Sequence, residues 1–363
     1  MKVAIVGSNS FIGKNFYFQL KYLKNINKIY LINKKTPKKK LKDFINDSDQ
    51  IFIFAGINRP KFENEYKKNF QIVKNITSFL NKKKKFFYTS SLQSNQSNPY
   101  GISKKKSEDF LIKLYKKKKI DLKIYRLPNI FGKWSKPNYN SVVATFCYNI
   151  INKKPLKIID NKKISLLYID DLIKLILSDF KKKNDKLIID HNFKNIFKIK
   201  VLNLKKIIQN IHDNYKSKSI LNYNSRLKKY LYSTYLSFLK PQDFKYKIQD
   251  LNVNKTGSFI ELYKSKYSGQ ISLLNIYGKN IRGKHFHNTK YEKFLVIHGK
   301  VRYSSVNMIT KKKFTTVLKD YKLEIVNTIP GHIHLLQNLS SKPSKVLVWT
   351  NEVFDKNKPD TFK

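Results

Sequence analysis

Residues 2–14 read KVAIVGSNSFIGK. A short apolar, β-branched run ends in Gly7-Ser8-Asn9-Ser10-Phe11-Ile12-Gly13, and a helical pattern opens at Lys14. Strand, glycine turn and helix in that order bring bare backbone amides and a helix N-terminus to one point, as a pyrophosphate requires. Gly7 and Gly13 fit that fingerprint, but its middle glycine is replaced by Ser10. A plain strand-to-helix turn, which needs one glycine only, is the competing reading. Apolar runs at 28–33, 51–56, 86–91 and 122–125 read as further strands, with helical segments between them. The alternation predicts an α/β doubly wound parallel sheet of the Rossmann kind, with ligands at the carboxyl ends of its strands.

The run KIYLIN at 28–33 ends in Asn33, where a carboxylate would hold the ribose 2'-hydroxyl of NAD. Asn33-Lys34-Lys35 favours the phosphorylated cofactor NADPH. At 86–104 the chain reads FFYTSSLQSNQSNPYGISK, a strand that delivers two serines to the sheet edge and then a loop into a helix. Four residues separate Tyr100 from Lys104, so they share one helix face. An ammonium beside a phenol predicts a lowered phenol pKa and a proton donor.

These residues resemble the extended short-chain dehydrogenase/reductases that act on nucleotide sugars. The signature is GxxxFIG at Gly7 to Gly13, the serine pair, YGISK, YRLPNIFG at 125–132 and LYIDD at 167–171. The resemblance implies that Ser91 hydrogen-bonds a sugar ketone, Tyr100 protonates it and Lys104 holds the nicotinamide ribose. Asn69 matches the asparagine that completes the proton relay in many members. Candidate cofactor contacts are Gly7, Asn9, Ser10, Phe11, Ile12, Gly13, Asn33, Lys34, Ala55, Gly56 and Leu127, besides Tyr100 and Lys104. Candidate substrate contacts are Arg59, Asn129 and Arg282, with residues 137–150 beneath the sugar. Leu92-Gln93 stands where the dehydratase branch carries an acidic pair, which favours reduction or oxidation over dehydration.

Lysine and arginine number 75 against 24 acidic residues, a formal net charge of +51, yet only five of the 75 are arginine. A bias toward lysine along the whole chain does not make a nucleic-acid surface, and no arginine or aromatic recognition motif accompanies it. The lysine runs at 82–85, 116–119 and 181–183 read as solvated helix ends. The arginines Arg59, Arg126, Arg282 and Arg302 lie in or beside motifs, where a planar two-pronged donor has a use. A single cysteine, Cys147, excludes an internal disulfide and suits a reducing cytoplasm. The first apolar run is too short for a signal peptide and no later one approaches a membrane span, so a soluble cytoplasmic protein is expected.

Residues 200–239 read as two helices, and Lys240-Pro241-Gln242-Asp243 breaks the pattern. A domain boundary is therefore expected at 243/244. From Gly257 onward, short alternating runs between glycine turns predict an antiparallel sandwich or barrel. His285 and His287, two apart, face the same way on a strand, and Glu292, His332, His334 and Asn338 follow. This resembles the two motifs of the cupins, jelly rolls that bind a metal through three histidines and a glutamate. By that match the ligands are His285, His287, Glu292 and His334. Zinc is favoured, while nickel, iron, manganese and a metal-free pocket stay open. His298 and His332 read as strand residues or proton carriers.

Both halves together, with AGINRP at 55–60, RLPNIFGKW at 126–134, NYNSVVATFCYNI at 138–150, GSFIE at 257–261, RGKHFH at 282–287, EKFLVIHG at 292–299 and PDT at 359–361, resemble the CapF-type capsular polysaccharide enzymes. The resemblance implies a homodimer that epimerises carbon 3 of UDP-2-acetamido-2,6-dideoxy-arabino-hexos-4-ulose. It then reduces carbon 4 to give UDP-N-acetyl-L-talosamine, a precursor of UDP-N-acetyl-L-fucosamine. Two other readings are a single-activity reductase with a structural cupin and a basic, cofactor-sensing binding protein.

Overall fold

Strand β1 (Lys2–Val6) runs between two parallel partners, β2 (Lys28–Ile32) and β3 (Gln50–Ile53). Its last four residues are buried, as an apolar run covered on both faces must be. The computed structural model describes all 363 residues except 182–186, 190–192, 194, 218, 221–224, 246–247, 249–251, 266, 356 and 358. Beyond β3 the sheet continues through β4 (Lys84–Ser91), β5 (Ile120–Leu127) and β8 (Ile188–Ile189), all parallel, in the order β2-β1-β3-β4-β5-β8. The order turns between β1 and β3, so the ligand crevice of such a sheet opens at the carboxyl ends of those strands.

One face of the sheet buries Val6, Ile32, Ile53, Tyr88 and Ile124 against Val73 of helix α3 (Lys67–Thr77) and Leu111 of α4 (Pro99–Lys116). The other face is aromatic. Phe16 of α1 (Phe11–Leu20) lies 4.4 Å from Phe52, which stacks on Phe87 at 4.3 Å. A small second sheet orders β6 (Asn129–Phe131), β7 (Lys163–Tyr168) and β9 (Phe197–Lys200). The lysine runs are only partly solvated helix ends. Lys84 opens β4 and is buried, donating to the carbonyls of Asn46 and Ser48 at the end of α2 (Lys38–Asp47). Lys116 to Lys119 are exposed as expected, while 182 and 183 lie outside the described residues.

The chain forms two compact units, Met1–Gln209 with Ser225–Leu239, and Asn210–Asn224 with Lys240–Lys363. Helix α5 (Val201–Lys216) begins in the first and ends in the second, and α6 (Arg226–Leu236) belongs to the first again. The chain therefore passes between units at three points rather than one.

The second unit is all β and antiparallel. A six-stranded sheet orders β10 (Asn252–Asn254), β11 (Gly257–Ser265), β12 (Gly269–Ile276), β19 (Ser344–Thr350), β14 (Glu292–His298) and β17 (Ile325–Asn327). A four-stranded sheet orders β13 (Ile281–His285), β18 (His332–Asn338), β15 (Lys300–Asn307) and β16 (Lys313–Lys319). Their inner faces meet in one core, with Leu274, Ile276, Phe294, Val346 and Val348 from the first sheet and Val301, Tyr303, Leu318 and Leu336 from the second. Alternate burial along β12 and β18 shows the two-residue period that such packing demands. Asn338 is wholly buried and ties strand ends together, donating to the carbonyls of Ile276 and Lys342 and accepting from Ser344.

Candidate active sites

In the first unit, the turn after β1 closes over Gly7, whose φ of +86° is open to glycine. A side chain there would also meet the backbone of Ala55 at 2.5 Å, so the end of β3 lies directly against the turn. Ser10 is the N-cap of α1, its hydroxyl accepting from the amide of Gly13 at 3.0 Å. The residue that departs from the three-glycine fingerprint thus satisfies an amide of the first turn. Phe11 and Ile12 still supply the first-turn amides that an anion needs, and Asn9 is exposed beside them.

Tyr100 sits in the first turn of α4, which begins with Asn98 as N-cap and Pro99 behind it. A Cβ on Gly101 would stand 2.1 Å from the carbonyl of Gln93 and 2.7 Å from that of Gln96. The loop from Ser91 to Gln96 therefore rests on the helix start with no side chain between, and it brings Ser91 beside Tyr100. Ser91 Oγ accepts from the amide of Gln93 at 3.2 Å, which leaves its own hydrogen to donate. Burial pushes the Tyr100 phenol up to about 12, with Ser91 acting in the opposite direction. The lowered phenol expected from the sequence is thus corrected.

Lys104 does not offset the burial, because of the direction it takes. The ammonium points to β4, donating to the carbonyl of Thr89 at 2.9 Å and lying 3.4 Å from the Tyr88 hydroxyl and 4.9 Å over its ring. Burial lowers Lys104 to about 8, and Glu108 one turn later opposes it. Glu108 itself is fully buried and makes a two-pronged pair with Arg126, at 2.6 and 3.1 Å. The two-pronged donor that the sequence offered at Arg126 is thus spent on a buried carboxylate. Asn69 is buried between two segments, its side chain exchanging hydrogen bonds with the backbone of Ile57 and donating to Ser103 Oγ at 3.0 Å. Ser103 in turn donates to the Tyr100 carbonyl at 2.8 Å. A Cβ on Gly56 would lie 3.2 Å from Lys104 Nζ and 3.5 Å from Asn69 Oδ1, so these residues converge.

Asn33 follows β2, its Oδ1 accepting from the amide of Lys35, while Lys34 and Lys35 are exposed. Leu127 is buried and Arg59 exposed. Asn129 is exposed on β6 and donates to the carbonyl of Ser165. Arg282, in the second unit, is half-buried and donates to Asn254 and Thr256.

The second unit brings His285, His287, Glu292 and His334 together, with one possible ligand atom of each within 4.8 Å of every other. His285 faces His334 across β13 and β18, after an irregularity between Gly283 and His285 shifts the register. Ring centres are 4.7 to 5.2 Å apart. Glu292 Oε2 lies 3.5 Å from His287 Nε2 and 3.4 Å from His334 Nε2. Burial works to raise the Glu292 carboxyl, but the two imidazoles and Lys290 outweigh it and hold it well below the usual range. Burial and the neighbouring His334 lower His285 to about 4, so it is a neutral imidazole. His287 Nε2 and both ring nitrogens of His334 are buried without a hydrogen-bond partner. Orphaned lone pairs beside an ionised carboxylate fit a divalent cation. His332 turns its Nε2 to Asn307 instead, and His298 is exposed.

Sequence reasoning did not find Thr328, and it quoted Asp360 only within PDT, with no role. Thr328 Oγ1 accepts from the amide of Glu292 at 2.7 Å, and the Asp360 carbonyl is 2.5 Å from His287 Nδ1. Both are far from the ligands in sequence, and neither residue type is itself a signal.

Residues 3–188 match the NAD dependent epimerase/dehydratase family, and residues 252–362 match the polysaccharide biosynthesis C-terminal domain. A relative from Pseudomonas aeruginosa, UDP-2-acetamido-2,6-beta-L-arabino-hexul-4-ose reductase, is 35% identical over 100% of this chain and 98% of its own. The crystal structure of the capsular polysaccharide assembling protein CapF from Staphylococcus aureus is 32% identical, with a TM-score of 0.90 over 100% of this chain and 99% of that one. UDP-glucuronic acid 4-epimerase from Bacillus cereus shares the fold alone, at 15% identity and a TM-score of 0.55 over 66% of this chain and 99% of its own. The chain belongs to the NAD dependent epimerase/dehydratase family, in its CapF-type branch. Among the described residues no helix is long and apolar enough to cross a membrane.

Proposed function

We propose that this is a bifunctional nucleotide-sugar enzyme of capsule or O-antigen synthesis. Residues 244–363, read as a cupin jelly roll, invert carbon 3 of UDP-2-acetamido-2,6-dideoxy-arabino-hexos-4-ulose. Residues 1–243 then reduce the carbon-4 ketone with NADPH, giving UDP-N-acetyl-L-talosamine. One observation carries the reading: a single chain holds Ser91, Tyr100 and Lys104 at a nucleotide-binding sheet edge, and three imidazoles with a carboxylate in a β-sandwich. The reductase name of the Pseudomonas relative supports the substrate.

The hydrogen beside a ketone is acidic, which makes inversion at carbon 3 a proton-transfer problem. His285, His287, Glu292 and His334 would hold a divalent ion, with zinc the favoured metal. Bound there, it supplies a Lewis acid that lowers the cost of removing that proton. In the first unit NADPH supplies the hydride for carbon 4. Ser91, whose Oγ accepts from the Gln93 amide, would turn the hydrogen it now shares with Tyr100 to the ketone oxygen. Tyr100, raised to about 12, is a neutral phenol at working pH, the form that a reduction consumes. Its proton passes to the carbon-4 oxygen, and solvent restores it. Lys104, at about 8, is still an ammonium at neutral pH, and from its place on the Thr89 carbonyl it would turn to hold the nicotinamide ribose when the cofactor binds. Asn33 adds no negative charge beside exposed Lys34 and Lys35, which leaves room for the 2'-phosphate of NADPH.

Incubation with the 4-keto sugar in heavy water, without NADPH, is expected to place deuterium at carbon 3. Added NADPH is then oxidised. A chain that oxidises NADPH but takes up no deuterium is a reductase alone, and one that does neither refutes the proposal.

A further inference from the structure

The segment around Asp360 reaches the metal cluster from outside it. Phe362 pairs with Phe286 through two backbone hydrogen bonds of 2.9 and 3.0 Å, and their rings stack at 5.3 Å. This pairing lays residue 360 across the turn that follows His287. The Asp360 carboxylate collects three successive amides there, from Asn288 at 3.0 Å and from Thr289 and Lys290 at 2.7 Å each, and the Thr289 hydroxyl at 3.0 Å. Its own main-chain carbonyl meets His287 Nδ1 at 2.5 Å.

A carbonyl oxygen only accepts, so a hydrogen of His287 must sit on Nδ1, and in the neutral imidazole that a metal takes Nε2 is then bare. The bare nitrogen is the one that lies beside Glu292 and His334. His334, by contrast, has neither ring nitrogen hydrogen-bonded, so its tautomer is free to change. We propose that Asp360 is a positioning residue for the metal site: its carboxylate gathers the 288–290 amides so that its carbonyl holds His287 as the Nδ1–H tautomer, ready to ligate through Nε2. The inference rests on the metal reading of the cluster. A partner beyond the ligand shell that fixes ring and tautomer is generally worth about 10- to 100-fold in metal affinity.

The test uses the full chain without metal, labelled with nitrogen-15 histidine, as wild type, Asp360→Asn and Asp360→Ala. In the wild type His287 is expected as a single Nδ1–H tautomer, and in Asp360→Ala as a mixture. Cobalt(II) titration is expected to show about 10- to 100-fold weaker binding for Asp360→Ala, with a changed visible spectrum, and a smaller loss for Asp360→Asn. NADPH binding is expected to be unchanged in all three, which reports an intact first unit. An unaltered tautomer with unaltered cobalt affinity in both variants overturns the role of Asp360 while the metal reading stands. A wild type that takes up neither cobalt nor zinc overturns the metal reading and this inference with it.

Discussion

In the first unit the buried charge at the candidate site is a cation, Lys104. In the second it is an anion, Glu292. The groups that Lys104 touches are neutral, the Thr89 carbonyl and the Tyr88 phenol, and Glu108, itself paired with Arg126, only partly offsets burial, so its pKa falls. Glu292 is just as enclosed, but imidazoles and Lys290 surround it and keep it ionised. A cofactor that brings its own hydroxyls suits the first arrangement, and a cation that brings its own charge suits the second. The difference teaches that burial by itself does not tell which way a site is tuned; the neighbours do.

The comparison breaks first at Tyr100. Tyr100→Phe is expected to cut NADPH oxidation by about 10²- to 10⁴-fold, the range of a lost general acid, and to leave deuterium uptake at carbon 3 intact. Loss of both activities would mean that the two sites are not separate. His285→Ala is expected to do the reverse, weakening metal retention by at least about 100-fold, since a ligand outweighs its supporting partners. Metal analysis beside NADPH binding checks it.

Lys104→Met sharpens the contrast through stability. The folded pKa of about 8 lies below the ordinary 10.5, so between those values the unfolded chain binds a proton that the folded chain does not. The cost of the buried charge is therefore full below pH 8 and fades as pH rises toward 10.5. The variant should lose reductase activity yet gain up to about 3 kcal/mol at pH 7, with the gain shrinking at higher pH. Thermal unfolding at pH 7 and pH 9.5 reads it, and a lower midpoint at pH 7 counts against the strain. The smallest effect is Ser10→Ala, about 1 kcal/mol of stability for a lost cap, with NADPH affinity little changed. A large fall in affinity would instead place Ser10 on the cofactor.

Much of this was legible because the signals are local. The glycine turn is contained in 7–13 and the Tyr100–Lys104 pair in one helical turn. The four candidate metal ligands come from two short motifs that strand pairing brings together. What stayed hidden depends on direction and distance. Helical spacing put Tyr100 and Lys104 on one face but could not show that the ammonium turns toward β4, so the phenol shift had the wrong sign. The two-pronged use expected of Arg126 is met by Glu108, a partner on another element that no local pattern names. Thr328 and Asp360 stand 36 and 73 positions from the residues they hold, so even with Asp360 inside PDT no local pattern links them to the site.

Gly101 has a consequence of a mechanical kind. With the carbonyls of Gln93 and Gln96 seated against its bare α-carbon, the serine loop and the tyrosine helix meet as hard surfaces. The gap between the Ser91 and Tyr100 hydroxyls is then gauged by the thickness of one backbone. Even a methyl at 101 would act as a shim, opening that gap before it touched either hydroxyl.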